Sequence, residues 1–566
     1  MKSGRPACRW MAVAVSVLFP AWLLAQHQTE VLDEPVVGGV IPYQVEIREI
    51  SLLPAVTPNI HSVVAGDWNG QWVILAGRTN GLHGLTGMAA FDPAYENREI
   101  WVIDPAGKQS WHKSLETSAA SGLTQDQVDS LSSVNAEFYQ DGETLLIAGG
   151  YGFKRSVSDH VTYDTLTAVH LPGMVAWVKE PAGSETSMAS DHVDQIIDNY
   201  FQVTGGGLER TGVEYQLIFG QNYAGRYRPN FNGIYRKQVR RFRVDLSNGL
   251  VIPDATKEST PQDEAFRRRD LNVATMLQRG AEPDTFEEVA VALSGVFTPE
   301  GGVFTVPVVI EAGGKVTMQD PAASTTMKQA LQVYHCAEAG LYHRATDEMH
   351  LLLFGGLTIQ EYDRVNESWL IDNNAPFTNQ CSVVVRNKDG NFRQYLLPVR
   401  FPEILVDGKE LRFGTNAEFF YQAEVPRLHP QVIDLAEIRE PTVIGHIFGG
   451  LVADAGNGGN TGSSGRVFEV LLIPNLPDAT PAITKSGEEL ALAWKSDAHA
   501  CYLIEHSEAL SGWAEFLPAV PGNGGIIQWS ETRSDSRQFY RLLGGWVTRE
   551  PSEPPGGLVR EADHTE

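Results

Sequence analysis

The side chains of this sequence best suited to chemistry are arginines and tyrosines gathered in a few short stretches. They are Arg78 with His83, then Arg155, then Tyr223, Arg226, Tyr227 and Arg228, then Tyr362 and Arg364. The densest stretch, 221–237, reads Gln-Asn-Tyr-Ala-Gly-Arg-Tyr-Arg-Pro-Asn-Phe-Asn-Gly-Ile-Tyr-Arg-Lys. A guanidinium offers a carboxylate or phosphate two parallel hydrogen bonds, and an aromatic face stacks on sugar rings or cations. Both residue types are also frequent anchors of protein interfaces. These residues are therefore expected to form a ligand-binding surface for a protein or a glycan.

Groups for covalent or metal chemistry are sparser. His83 is a lone loop histidine. Asp191 and Asp194 flank His192, a pattern that serves an acid–base cluster or simply caps a turn. Asp454 precedes Gly-Asn-Gly-Gly-Asn at 456–460, but one carboxylate is too few for a calcium loop. No HExxH, GxSxG or P-loop occurs, and there is no CxxC or zinc-ligand spacing. No cofactor or metal is expected, and no catalytic set can be named. Cys336 and Cys381 could be joined as a disulfide in an oxidising compartment, or stand as buried thiols.

These loops must be held by a scaffold, and the scaffold repeats. A short apolar run ending in small residues recurs as Val73–Gly77, Leu145–Gly150, Gln216–Gly220, Val289–Gly295, Leu351–Gly356 and Ile444–Gly450. Apolar runs of this length bounded by glycine read as strands buried on both faces. A strand lies upstream of each, often turning at Asn69-Gly70 or Asp141-Gly142, which are hairpin signals. Another lies downstream and runs into Asp, as in Glu99-Ile-Trp-Val-Ile-Asp104-Pro105, with Trp111 beyond. Two upstream strands share the letters Asn-Ala-Glu-Phe, at 135–138 and 416–419.

A buried strand ending in Gly-Gly, a strand running into Asp-Pro and then a Trp resembles a kelch repeat, a four-stranded propeller blade of about 50 residues. The resemblance implies an all-β protein built on a six-bladed kelch-like β-propeller. The Arg- and Tyr-bearing loops would then open on one face beside the central channel. The segment 43–50 alternates apolar and polar residues and is expected to supply the outer strand of the last blade, removing an exposed edge. Galactose oxidase also carries a kelch-like propeller, which draws attention to Tyr334-His335-Cys336. Its copper site needs a cross-linked Tyr–Cys pair and further ligands that cannot be assigned here.

The domain plan follows. Residues 1–25 read as a secretory signal: Lys2, Arg5 and Arg9, then the apolar run 11–24, then Ala25. Losing its three positive charges takes the net charge from −26 to −29. That balance argues against nucleic-acid binding. No second apolar run could span a membrane, so no stable membrane span is expected once the signal is removed, and the protein is expected to be secreted, periplasmic or on the cell surface. The propeller occupies 41–475. Residues 482–545 read as a small β-sandwich that resembles a fibronectin type III module in the spacing of Trp494 and Tyr502, and 546–566 as a disordered tail. Two functions stay open: a non-catalytic recognition module, which the lack of a catalytic motif favours, and a carbohydrate-active hydrolase, lyase or oxidase on the same scaffold.

Overall fold

The computed structural model describes residues 34–547 with Arg560 and Glu561, apart from 38, 83–89, 229–232, 248, 283, 458, 475–480, 487–488, 497–499, 508–513, 516–519, 524 and 533–538. The expected signal sequence, His83 and most of the tail lie outside the described residues. Five antiparallel four-stranded units follow one another along the chain, and the sixth is completed from the N-terminal side, giving an all-β, six-bladed β-propeller. In each blade the apolar glycine-bounded run is the second strand: Gln71–Leu75, Thr144–Ala148, Glu214–Ile218, Phe286–Ala292, Glu348–Leu357 and Thr442–Gly449. These strands are flanked by neighbours in their own sheet and packed between adjacent blades, which is why they carry no polar face.

The alternating segment Tyr43–Ile50 closes the ring. It pairs antiparallel with Val467–Pro474 from Tyr43 opposite Pro474 to Ile50 opposite Val467. Tyr43, Val45 and Ile47 point inward and are buried, while the residues between them are half-exposed, the signature of an outer strand with one covered face. At the opposite side of that seam, Trp72 of blade one stacks on Phe420 of blade six with ring centroids 4.6 Å apart. The small-residue ends of the second strands have a steric cause. At Gly149 and Gly150 the backbone is left-handed (φ 66° and 90°). A side chain there would meet the Val203 carbonyl oxygen at 2.0 Å and Ser133 Oγ at 2.2 Å.

Blade five departs from the plan. Beyond its four strands, Val432–Asp434 lies parallel to Ala337–His343 and pairs in turn with Arg427–His429. Both come from the long connection between the first two strands of blade six. A helix, Leu171–Lys179, lies between the third and fourth strands of blade two and packs on blade one, where its Lys179 ammonium sits 4.3 Å from the Trp111 ring centre.

The two cysteines are free and buried. Cys381 pairs across to Phe354, and Phe354 across to Ala337, so strand Glu348–Leu357 lies between the thiols. Two strand spacings of about 4.8 Å exceed the roughly 7 Å over which a disulfide can form.

The C-terminal part forms two sheets. One holds Ala482–Ser486, Glu489–Lys495, Ile526–Thr532 and Arg560–Glu561; the other holds Val40–Ile41, Phe539–Val547, Ala500–Ser507, Ala514–Glu515 and Val520–Pro521. Leu492, Trp494, Ile527 and Trp529 of the first pack on Tyr502 and Ile504 of the second. Part of the stretch expected as a disordered tail is therefore strand: Trp546 and Val547 pair with Ile41 and Val40, and Arg560 and Glu561 with Gln528 and Ile527. Main-chain pairing with neighbouring strands holds them in the two sheets.

Candidate functional site: a channel divided by a collar

The first strand of every blade begins at the propeller axis, and the residues just before or at these starts meet there. Their amides bond around the axis from blade to blade. Ser62 donates to the Asn416 carbonyl (3.2 Å), Asn416 to His335 (3.0 Å), His335 to Asp270 (3.1 Å), Asp270 to Gly205 (2.7 Å) and Gly205 to Asn135 (3.0 Å). Five of these six residues are left-handed, and three are Asn or Asp, the side chains that tolerate that conformation best. Side chains reinforce the collar. Asn416 Nδ2 donates to Ser62 Oγ at 2.9 Å, and Asn135 Nδ2 donates to Asp270 Oδ1 at 3.3 Å. Ser62, Asn135, Asp270 and Asn416 line a cavity on either side.

On the side of the glycine-terminated loops lies a vestibule of only 50 Å³, lined by Arg78, Phe91, Tyr151, Tyr223, Tyr227, Arg269 and Tyr334 among others. Arg78, Tyr223 and Tyr227 thus converge as the sequence suggests, but their polar ends are engaged. Arg78 is 2% exposed; its Nε donates to Asn80 Oδ1 (3.1 Å) and its Nη2 to the Asp92 carbonyl (3.0 Å). Burial lowers its pKa. Tyr223 Oη accepts the Arg228 amide at 2.9 Å. Arg269 Nη1 donates to Asp270 Oδ2 at 2.7 Å, and Tyr334 hydrogen-bonds to the same carboxylate.

The other predicted residues lie apart from the cavity wall. Arg226 reaches the Ala90 carbonyl, and Arg228 is exposed. Arg155 Nη1 is bound by Asp129 Oδ1 at 2.7 Å and Glu96 Oε2 at 3.4 Å. Tyr362 packs with Leu331, Leu396 and Trp369 in blade five, and Arg364 Nη2 donates to the Leu397 carbonyl. Asp191 caps a turn by accepting the Met188 amide, and Asp454 is held by Lys409 and Asn460.

On the hairpin side of the collar the channel widens into a chamber of 660 Å³. Its wall carries Asp67 of blade one, Glu137 of blade two, Glu209 of blade three, Glu338 of blade five and Glu418 of blade six; blade four contributes Thr275. Arg427, His429 and Gln431, from the strand insertion of blade six, also line it. Glu137 is 3% exposed and one of its oxygens accepts the Gly206 amide at 2.6 Å. Glu209 accepts the Thr275 hydroxyl at 2.8 Å. Glu137 Oε2, Glu338 Oε2 and Asp67 Oδ2 have no hydrogen-bond partner.

Burial raises the pKa of each of these carboxyls: Glu137 and Glu418 to about 8, Glu338 to about 7, Asp67 to about 6, and Glu209 well above its ordinary value. The nearby Glu338 charge adds to the rise at Glu418 and Glu209. Near neutral pH the chamber therefore holds carboxylic acids and carboxylates together, groups that donate and accept hydrogen bonds.

No family model matches the sequence, and no curated protein matches it. Among solved structures, the chain is similar to one titled "Structure of YjhT", at 10% identity and a TM-score of 0.38, over 75% of this chain and 100% of that one. A likeness this distant says nothing of activity, and the six-bladed architecture rests on the strand pairing itself.

Proposed function

We propose that this protein is an exported, kelch-type propeller that recognises a small polyhydroxylated ligand of sugar size in its hairpin-side chamber. The observation that carries the reading is the 660 Å³ chamber itself, whose wall brings Asp67, Glu137, Glu209, Glu338 and Glu418 together from five blades. The volume falls within the range of small-molecule sites. Carboxyls poised between acid and anion offer the mixed donors and acceptors that sugar hydroxyls need. The vestibule arginines and tyrosines brace the collar, and the C-terminal pair of sheets serves as a fibronectin type III-like adhesin or spacer.

A second reading draws on the same groups. Carboxyls with pKa values near 7 and 8 in one chamber suit general acid–base catalysis, so a carbohydrate-active enzyme is the alternative. A calorimetric screen of neutral, acidic and amino sugars against wild type and Glu137→Gln separates the readings. Binding of a neutral sugar that weakens at least tenfold in the variant, with the bound sugar unchanged, supports recognition. Turnover of that sugar would move the protein to the enzyme class. Binding restricted to amines or metal ions would overturn the ligand class.

A further inference from the structure

At its turn end, the first hairpin of blade five brings two histidines and a carboxylate onto one face. His343 is the last residue of strand Ala337–His343, and Glu348 stands directly across from it as the first residue of Glu348–Leu357. His350 follows two positions on, so its side chain projects to the same side of the sheet as Glu348. The potential ligand atoms of His343, Glu348 and His350 all lie within 4.8 Å of one another. His350 is 2% exposed, yet its Nε2 has no hydrogen-bond partner. The nearest carboxylate oxygen, Glu348 Oε2, is 3.7 Å away, too long for a hydrogen bond.

The surroundings favour a ligating tautomer at His343 and allow one at His350. His350 Nδ1 lies 3.0 Å from the hydroxyl of Tyr43, the fully buried first residue of the closing strand. With Nδ1 as the proton-bearing nitrogen donating to Tyr43, the Nε2 lone pair turns toward Glu348 and His343. His343 Nδ1 lies 2.8 Å from Thr346 Oγ1, whose hydroxyl donates to Glu348 Oε2 at 2.6 Å. That chain places a proton on His343 Nδ1 as well and frees its Nε2. Such outer hydrogen bonds are the usual support of metal-binding histidines. The two guanidiniums near the hairpin are already held, Arg344 by Asp434 and Arg279 by Asp347.

We infer that His343, Glu348 and His350 form a site for a divalent transition cation of the zinc class, with water completing the coordination, that fastens the closing strand to blade five through Tyr43. Two imidazoles and one carboxylate are a donor set that zinc accepts, whereas calcium and magnesium prefer oxygen alone. The cation would act where the ring is joined, since Tyr43–Ile50 is the piece of blade six that comes from elsewhere in the chain.

The test uses the full chain stripped with chelator and titrated with Co²⁺, then Zn²⁺. Wild type is expected to develop visible cobalt d–d absorption that Zn²⁺ abolishes at one equivalent. Its melting temperature is expected to rise by at least about 3 °C with zinc in excess, and not with Mg²⁺. His343→Ala, at the half-exposed end of the hairpin, should fold and lose both signals. Tyr43→Phe should keep the absorption but weaken zinc binding roughly tenfold. Absence of cobalt absorption in wild type, or an equal zinc response in His343→Ala, overturns the site. Unchanged affinity in Tyr43→Phe overturns the link to the closing strand.

Discussion

The two sides of the collar treat charge in opposite ways. In the loop-side vestibule the ionic groups meet each other: Arg269 binds Asp270, and just outside it Arg155 binds Asp129 and Glu96. In the hairpin-side chamber, Glu137, Glu338 and Asp67 each keep an oxygen without a partner, although burial makes that costly. A charge satisfied by its own chain stabilises the fold. The contrast is what the proposed division of labour rests on, with structural work on the face richer in arginine and recognition on the face richer in glutamate.

The largest effect expected from breaking this contrast is at Asp270. Replacing it with Ala strands the buried Arg269 guanidinium and removes acceptors used by Asn135 and Tyr334. The loss of unfolding free energy should be about 3–5 kcal/mol in a denaturant titration, the cost of orphaning a buried ionic partner. A change below 1 kcal/mol would show that the vestibule charges are not structural.

The chamber should respond to pH. Glu137 has a folded-state pKa near 8 against an ordinary 4.5, so the folded chain holds a proton that the unfolded chain has released between those values. Unliganded protein should therefore lose stability as pH rises from about 5 to 8, and Glu137→Gln should recover about 1–3 kcal/mol of it at pH 8. Unfolding free energies measured across that range check the sign; a variant with an unaltered pH profile would mean that Glu137 is ionised throughout.

Arg155→Ala should cost less, about 1–2 kcal/mol, because its side chain is partly exposed and water compensates Asp129 and Glu96. Chamber affinity should stay the same in that variant. The smallest effect belongs to Arg226→Ala with Arg228→Ala, which should leave affinity for the chamber ligand within about twofold, since neither residue reaches that wall. A tenfold loss would relocate recognition to the loop face.

The propeller is legible in the sequence where burial imposes a pattern. Each second strand is covered on both faces, so its apolar run is visible without knowledge of its neighbours. Tyr43–Ile50 alternates because only one face is covered. The site is less legible because the role of a charged residue depends on partners distant in the chain. Arg155 looks like a ligand contact until Asp129 and Glu96 are seen beside it. The glutamates did leave a trace: Asn-Ala-Glu-Phe at 135–138 and 416–419, and Cys-Ala-Glu at 336–338, place a carboxylate early in a first strand, beside apolar residues. What could not be read is that these carboxylates line one chamber. The His343–Glu348–His350 cluster is hidden likewise, since its meaning depends on the hairpin register and on Tyr43, 307 residues from His350.

The blade-to-blade hydrogen bonds at Ser62, Asn135, Gly205, Asp270, His335 and Asn416 have a kinetic consequence. They tie the inner edge of one blade to that of the next, so amide exchange in the inner strands requires neighbouring blades to part together rather than singly.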